Sequence, residues 1–358
     1  MASYTFETIT ADQAAAFAGT DSLTFAGGTA AQCTVAFAAD GTVTISNAVR
    51  SLAFSPAIAN VSGLSFADGS VLFVGAPTAD NFVAPTAAPA ALFGGDGNDA
   101  LTLGPKGGLL QGNQGNDTLL TNGQATIYGG QGDDSITASA GLNNFLQGNK
   151  GDDLIVGGSA DTVLGGQGAD TLSGGGFLNG NLGDDSISGT GQIFGEDGAD
   201  TIAANGSGTV ADAGAGNDSI LASGGSNTVT GGAGADTIES GSGVDFIYGG
   251  AGADQFRFLS GGGAGPGTLD QVLDWSAQDS LKFKAPPAGY SGYAAYVIAD
   301  YTTAVNQSAA FMASSKYAYI AVQVGADVIV FAAGATGIDV GIDLVGRALA
   351  DIGATNFV

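Results

Sequence analysis

Histidine is absent from all 358 residues, and cysteine occurs once, at Cys33. Without histidine there is no HExxH zinc motif and no imidazole base for a Ser-His-Asp hydrolase. Nor is there the nitrogen and sulfur cluster that zinc prefers. One cysteine cannot build a disulfide framework, and Cys33 reads as a buried strand residue. Basic residues are also scarce: eight Lys and Arg stand against 34 Asp and Glu, for a formal charge of −26. No basic patch is available to meet phosphates, which excludes nucleic acid as a partner. No uncharged apolar run is long enough for a transmembrane helix. The first residues, MASYTFETIT, lack the basic and apolar regions of a secretory leader. Paired acids could in principle serve a glycosidase, but here they fall in phase with a repeat, so no enzyme is expected.

Glycine is what the chain has in abundance, 63 residues in all, and it is ordered. Eleven nonapeptides between residues 75 and 257 place Asp at the sixth position and a bulky apolar residue at the eighth. They include GGDGNDALT (94–102), GGQGDDSIT (129–137), GGAGADTIE (231–239) and GGAGADQFR (249–257). The sixth-position residues are Asp80, Asp99, Asp117, Asp134, Asp153, Asp170, Asp185, Asp200, Asp218, Asp236 and Asp254. Phe82, Leu101, Leu119, Ile136 and their counterparts through Phe256 fill the eighth position. Glycine permits tight turns of positive φ. Asn113, Asn149 and Asn181 replace it at the second position, and asparagine tolerates that backbone well. Ala76 and Glu196 are the misfits there. The carboxylates are hard oxygen donors, and each apolar residue suits an inward-facing short strand.

These nonapeptides resemble the RTX (hemolysin-type) calcium-binding repeat, GGxGxDxUx, over about half the chain. The resemblance implies an all-β fold, a right-handed parallel β-roll in which six residues turn and three form a strand. It implies Ca²⁺ ions held between stacked turns by Asp carboxylates and backbone carbonyls, a donor set suited to that ion.

The spacing sharpens this. A two-sided roll spends two nonapeptides per coil, so turns on one side recur every 18 residues. The eleven copies start 15 to 19 residues apart, so all should stack along one edge. Turns on the other edge are Ser- and Gly-rich and should absorb the length changes, with Ile127, Leu146, Leu178, Ile193, Val210, Val229 and Ile247 facing inward. Only residues 240–248, with Asp245, read there as a full loop, and Asp161 is a weaker candidate. The expected metal ligands are therefore the eleven sixth-position aspartates and Asp245, binding multiple Ca²⁺ ions mainly along one edge. Residues 94–259 hold 20 acidic groups against three basic ones. Carboxylates one coil apart, about 4.8 Å, repel by roughly 1 kcal/mol in water and more at lower dielectric. The roll is expected to be loose or unfolded without the ion.

Three domains are expected: a β-rich N-terminal cap or anchoring domain at 1–74, the roll at 75–259, and an α+β C-terminal cap at 260–358. In the first, Asp40-Gly41 and Asp68-Gly69 signal hairpins, and residues 11–17 suit a short helix. The last follows a Gly-rich hinge at 261–267 and is expected to bury Trp275 and Phe283, with a helix at 302–314 and a hairpin over 317–331. Asp274 and Asp279 suit a further ion or solvated turns. Tyr290, Tyr293, Tyr296, Tyr301, Tyr317 and Tyr319 suit either self-association or strand packing. The final residues, Asp351 to Val358, resemble the uncleaved type I secretion signal of RTX proteins. The expected role is a secreted calcium-binding structural or cell-surface protein of a Gram-negative bacterium. Its expected partners are copies of itself or cell-surface components bridged by Ca²⁺. A surface layer, filament or biofilm matrix suits that reading; an adhesin module or a contact-dependent toxin is the alternative.

Overall fold

The computed structural model describes residues 1–61, 64–139, 142–259, 267–334 and 337–358. Of the expected Gly-rich hinge, residues 261–266 lie outside the described residues. The chain forms two compact units, Met1–Phe177 and Leu178–Val358, each built around a parallel β-solenoid.

In the first unit, Thr10 and Gln13 close a capping box over the helix Ala11–Ala15, the pairing that satisfies otherwise orphaned N–H groups. The expected hairpin at Asp40-Gly41 joins Thr34–Phe37 to Val43–Ser46, antiparallel, with Gly41 at φ 81°. Ser51–Phe54 completes that small sheet. Strands Ser3–Thr5, Ser22–Phe25 and Leu64–Phe66 run parallel to one another. Between the two sheets, Phe25 stacks on Phe6 and Phe66, and Phe6 on Phe54. Cys33 lies buried in this core, and burial pushes its thiol up to about 11, so it is a packing residue; it is buried as expected but caps the turn Ala30–Gln32, just before the strand Thr34–Phe37 rather than in it. Val71–Val74 pairs in parallel with Ala90–Asp96, so strand pairing runs on across residue 75.

From there the chain winds in two-strand coils. One face stacks Ala90–Asp96, Gly108–Gln114, Ala125–Gln131, Phe145–Lys150 and Thr162–Gln167. The other stacks Asn81–Val83, Ala100–Leu103, Thr118–Thr121, Ser135–Ala138, Leu154–Val156 and Thr171–Gly174. Every coil sends one large apolar side chain inward from each face: Leu110 and Leu119, Ile127 and Ile136, Leu146 and Ile155, Val163 and Leu172, all essentially fully buried. Each such burial contributes about 1.5–3 kcal/mol, which the glycine-rich turns need against their ordering entropy. Phe82, in the degenerate first repeat, is only half-buried and stacks on Phe73.

The second unit repeats the pattern. Ile187, Ile202, Ile220, Ile238 and Phe256 fill one face, and Leu178, Ile193, Val229 and Ile247 the other. Val210 corrects the sequence reading. Ile193 pairs with Ala211, so Ala211 points inward and Val210 lies 43 % exposed; the strand begins one residue earlier than its alternation suggests. Asp270–Val272 and Ser280–Phe283 add to the two faces, with Trp275 buried between them. Further along the second unit, the helix Tyr301–Ser315 packs over a sheet of Tyr293–Ile298, Tyr319–Val324, Asp327–Gly334 and Gly337–Leu344. The helix buries Ala304, Ser308 and Met312. The tyrosines pack: Tyr319 stacks on Phe357 with centroids 4.6 Å apart, and the Tyr296 hydroxyl meets Ser308 at 2.7 Å.

Candidate metal centre

A glycine-rich coil can reverse direction in a few residues only by visiting left-handed backbone. The repeat supplies this at its second and fourth positions. Gly130 and Gly132 sit at φ 131° and 113°, and Asn113 and Asn149 each at 83°. Glu196 is held at 76°, a conformation that costs a side chain with a Cβ about 1–2 kcal/mol. These turns have a fixed length. Three residues separate Asp96 from Ala100, Gln114 from Thr118, Asp197 from Thr201 and Ala251 from Gln255. On the other edge the connections between Ala90 and Phe258 run from two residues, between Gly189 and Gln192, to six, between Ala138 and Phe145.

The fixed turns stack their aspartates into columns. In the first unit, the Asp80 N–H donates to Asp99 Oδ1 at 2.8 Å, Asp99 to Asp117 at 2.7 Å, Asp117 to Asp134 at 2.8 Å, Asp134 to Asp153 at 2.8 Å, and Asp153 to Asp170 at 2.8 Å. In the second, Asp185 donates to Asp200, Asp200 to Asp218, Asp218 to Asp236, Asp236 to Asp254 and Asp254 to Asp279, at 2.7–3.0 Å. The carboxylates from Asp99 to Asp254 are at most 2 % exposed.

Each carboxylate thus spends Oδ1 on the neighbouring turn. The Oδ2 atoms of Asp99, Asp117, Asp134, Asp153, Asp200, Asp218, Asp236 and Asp254 are buried with no hydrogen-bond partner. A buried, unsatisfied carboxylate oxygen is costly, so these eight atoms are the feature that best fits a cation. Burial, with repulsion between stacked carboxylates added, pushes Asp134 up to about 8 and Asp99 to about 7. Burial likewise holds Asp117, Asp153, Asp200, Asp218 and Asp254 near 6.

Backbone oxygens join them. A Cβ built on Gly94 would strike Asp99 Oδ2 and lie 2.7 Å from the Gly112 carbonyl oxygen; on Gly112 it would strike Asp117 Oδ2 and lie 2.6 Å from that of Gly129. The first glycine of each repeat therefore leaves room where a carboxylate and a carbonyl oxygen approach each other. Among the described residues, no three Asp, Glu, Cys or His side chains gather at one point. A cation here must therefore draw on few carboxylates and complete its shell from carbonyls. Hard oxygens of both kinds, with no nitrogen or sulfur, fit Ca²⁺.

The ends of the columns differ. Asp80 receives the Asn60 side-chain amide on Oδ1 at 2.9 Å and the Ala76 N–H on Oδ2 at 2.6 Å. Asp279 receives the Ser276 N–H on Oδ2 at 2.6 Å. Asp274 accepts from the N–H groups of Gly249 and Gly250, both at 2.8 Å. Protein donors thus reach the Oδ2 atoms of Asp80 and Asp279 and both oxygens of Asp274, as they do not reach the eight Oδ2 atoms above.

The opposite edge carries its own ladders, which sequence reasoning largely missed. The Asn144 N–H donates to Asp161 Oδ1 at 2.7 Å, while Asp161 Oδ2 takes the Gly158 N–H at 2.6 Å and the Asn144 side-chain amide at 3.2 Å. In the second unit, Asn227 donates to Asp245 and Asp245 to Asp270. The Ser240 hydroxyl lies 2.9 Å from Asp245 Oδ2 and 2.7 Å from Asp270 Oδ2. Asp245, expected as a ligand, therefore sits apart from the eleven, with a hydroxyl where they have none. Asn144 and Asn227 stand 17 and 18 residues before Asp161 and Asp245; that spacing was the available signal.

The family model for the RTX calcium-binding nonapeptide repeat matches the chain at residues 121–142, 128–161, 141–172, 204–238, 212–246, 221–256 and 230–264. No curated protein matches it. The matches begin after Asp99 and Asp117, yet these residues repeat the hydrogen bonding of Asp134.

Proposed function

We propose that this chain, which is an RTX-type repeat protein with a calcium-binding β-roll, is a secreted structural or cell-surface protein whose roll folds when it meets Ca²⁺ outside the cell. The observation that carries this reading is the set of eight buried Oδ2 atoms without a partner. The aspartates from Asp80 to Asp254 would hold the ions with the first-position carbonyls, mainly along one edge. When bound, Ca²⁺ supplies two positive charges and accepts six to eight oxygen donors. The chain's own part is to hold each Oδ1 on a neighbouring N–H, aim each Oδ2 at the next turn's carbonyl, and keep water out. Low cytosolic calcium would leave the acidic column open and the chain loose enough for export, and millimolar external calcium would close it. No helix among the described residues is long and apolar enough to cross a membrane. The lack of histidine and a repeat whose acids are engaged in stacking support a non-enzymatic role within this proposal. Self-assembly into a surface layer, filament or matrix, with Ca²⁺ bridging acidic surfaces, completes the proposal.

The test starts with protein purified free of calcium. Millimolar CaCl₂ should raise the far-ultraviolet β signal, and electron microscopy should then show sheets or fibres. An unchanged β spectrum in chelator would sink the folding claim. Monodisperse monomers in calcium would sink the assembly claim and leave the first intact.

A further inference from the structure

A second site lies in the first unit, on the outer face of the roll. The strand Thr34–Phe37 belongs to a three-stranded sheet in the order 34–37, 43–46, 51–54, so it is paired on one side only. Its residues Val35, Ala36 and Phe37 form one wall of a cleft of about 450 Å³, a volume within the range of small-molecule sites. The floor is the outward surface of the coils that follow. There the strand pairing aligns Asp96, Gln114, Gln131 and Lys150 in one row and Asn113, Gly130 and Asn149 in a second. In a regular strand, neighbours such as Asn113 and Gln114 point to opposite faces. The left-handed φ of Asn113 and Asn149 breaks that alternation, so both rows reach the cleft.

The chemistry of this lining is unlike the rest of the chain. Five side-chain amides contribute to it, with one acid, Asp96, and one base, Lys150. Its formal charge is zero on a molecule of −26. Among the described residues, the side-chain amides of Gln111, Gln114, Gln131 and Asn149 make no hydrogen bond to protein. Each amide offers both a donor and an acceptor. Such groups match hydroxyls, which also do both, and they repeat along the stack at about 4.8 Å, a step comparable to one pyranose ring. Phe37 adds an aromatic wall suited to the apolar face of a sugar. An extended peptide could instead add to the open strand edge. That edge is only four residues long, and alternate pairing leaves it few free backbone groups, whereas the floor offers five amides.

We infer that this cleft binds a neutral saccharide chain, laid across the coils with its hydroxyls on the amide rows and one ring against Phe37. The inference is independent of the calcium assignment, except that the roll must be folded for the floor to exist.

The experiment uses the full chain in 10 mM CaCl₂, screened on an array of neutral oligosaccharides, followed by calorimetry with the tightest hexasaccharide found. Binding should be insensitive to added NaCl. Gln131→Ala and Gln111→Ala should each weaken it about tenfold, the effect of losing one or two hydrogen bonds. Ser135→Ala, on the other face, should leave it unchanged. The circular dichroism of each variant in calcium guards against misfolding, and Gln131→Glu, which keeps size and adds charge, should also abolish binding. The inference is overturned if no neutral saccharide binds, if only anionic polysaccharides or peptides bind, or if the cleft variants bind like the parent. Because calcium-induced folding is read separately in the same samples, its failure is distinguishable from failure of the cleft.

Discussion

At the scale of the residue, the difference between a carboxylate and its amide decides where a cation is required. Asp134 and Asn144 hold equivalent places on opposite edges of the first unit: each donates its N–H to the Asp one coil on. Asn144 also donates its side-chain amide to Asp161, whereas Asp134 Oδ2 has no donor. Replacing Asp134 by Asn keeps Oδ1 as the acceptor for Asp117 and turns the orphan oxygen into an N–H₂ group. Asp134→Asn should therefore stabilise the calcium-free fold by about 1–2 kcal/mol, the usual cost of one unsatisfied buried group. It should weaken the calcium-induced gain by a similar amount. Urea midpoints in chelator and in calcium check both; a variant less stable than the parent in chelator would contradict the assignment. The sixth-position Asp was legible in the sequence because its spacing is strict. The satisfied state of Asp161 was not, because it depends on Asn144, a residue remote in sequence and brought near by the winding.

At the scale of the element, the two kinds of turn answer to different constraints. The aspartate turns must keep a three-residue length because Oδ1 has to reach the N–H of the neighbouring aspartate, as Asp200 does for Asp185 at 2.8 Å. The opposite turns need only return the chain to the next strand. Inserting Ser-Gly between Thr190 and Gly191 should cost less than about 1 kcal/mol, since lengthening a short loop adds little closure entropy. The same insertion between Gly198 and Ala199 should cost several times more, because it displaces Asp200 from Asp185 and from Asp218 together. Thermal melts in calcium compare the two, and equal losses would refute the distinction. This asymmetry could be read from repeat spacing alone. The C-terminal elements were less legible. The helix Tyr301–Ser315 was placed within a residue, yet the strands Tyr293–Ile298 and Gly337–Leu344 were not read as strands. Their partners, Tyr319–Val324 and Asp327–Gly334, supply the pairing, and tertiary pairing of this kind overrides local alternation. The tyrosines followed suit: Tyr293 and Tyr319 pack around Phe357, a contact that spans tens of residues of sequence.

At the scale of the whole molecule, the charge of −26 has to be neutralised where it is buried, and only some ions can do that. The stacked carboxylates are at most 2 % exposed and about 4.8 Å apart from coil to coil. Mobile salt screens over about 8 Å at physiological ionic strength, but it acts on exposed charge and reaches buried pairs poorly. Raising NaCl should therefore not restore β structure to the calcium-free protein. Protons can reach these sites, and the direction of their effect follows from the shifts. Burial raises the folded-state values of Asp99, Asp134 and Asp200 to about 7, 8 and 6 from the model-peptide value of 3.8. A group raised in this way favours the folded state fully below about pH 4 and loses that contribution as pH rises through 6 to 8. The calcium-free roll should accordingly gain β signal as pH falls from 8 to 5, and the folded roll should bind calcium more weakly over the same interval as protons compete for the carboxylates. Circular dichroism of calcium-free protein across that range, with and without 0.5 M NaCl, separates the cases. Recovery by salt as complete as recovery by acid would mean that the repulsion lies on the surface rather than in the aspartate columns.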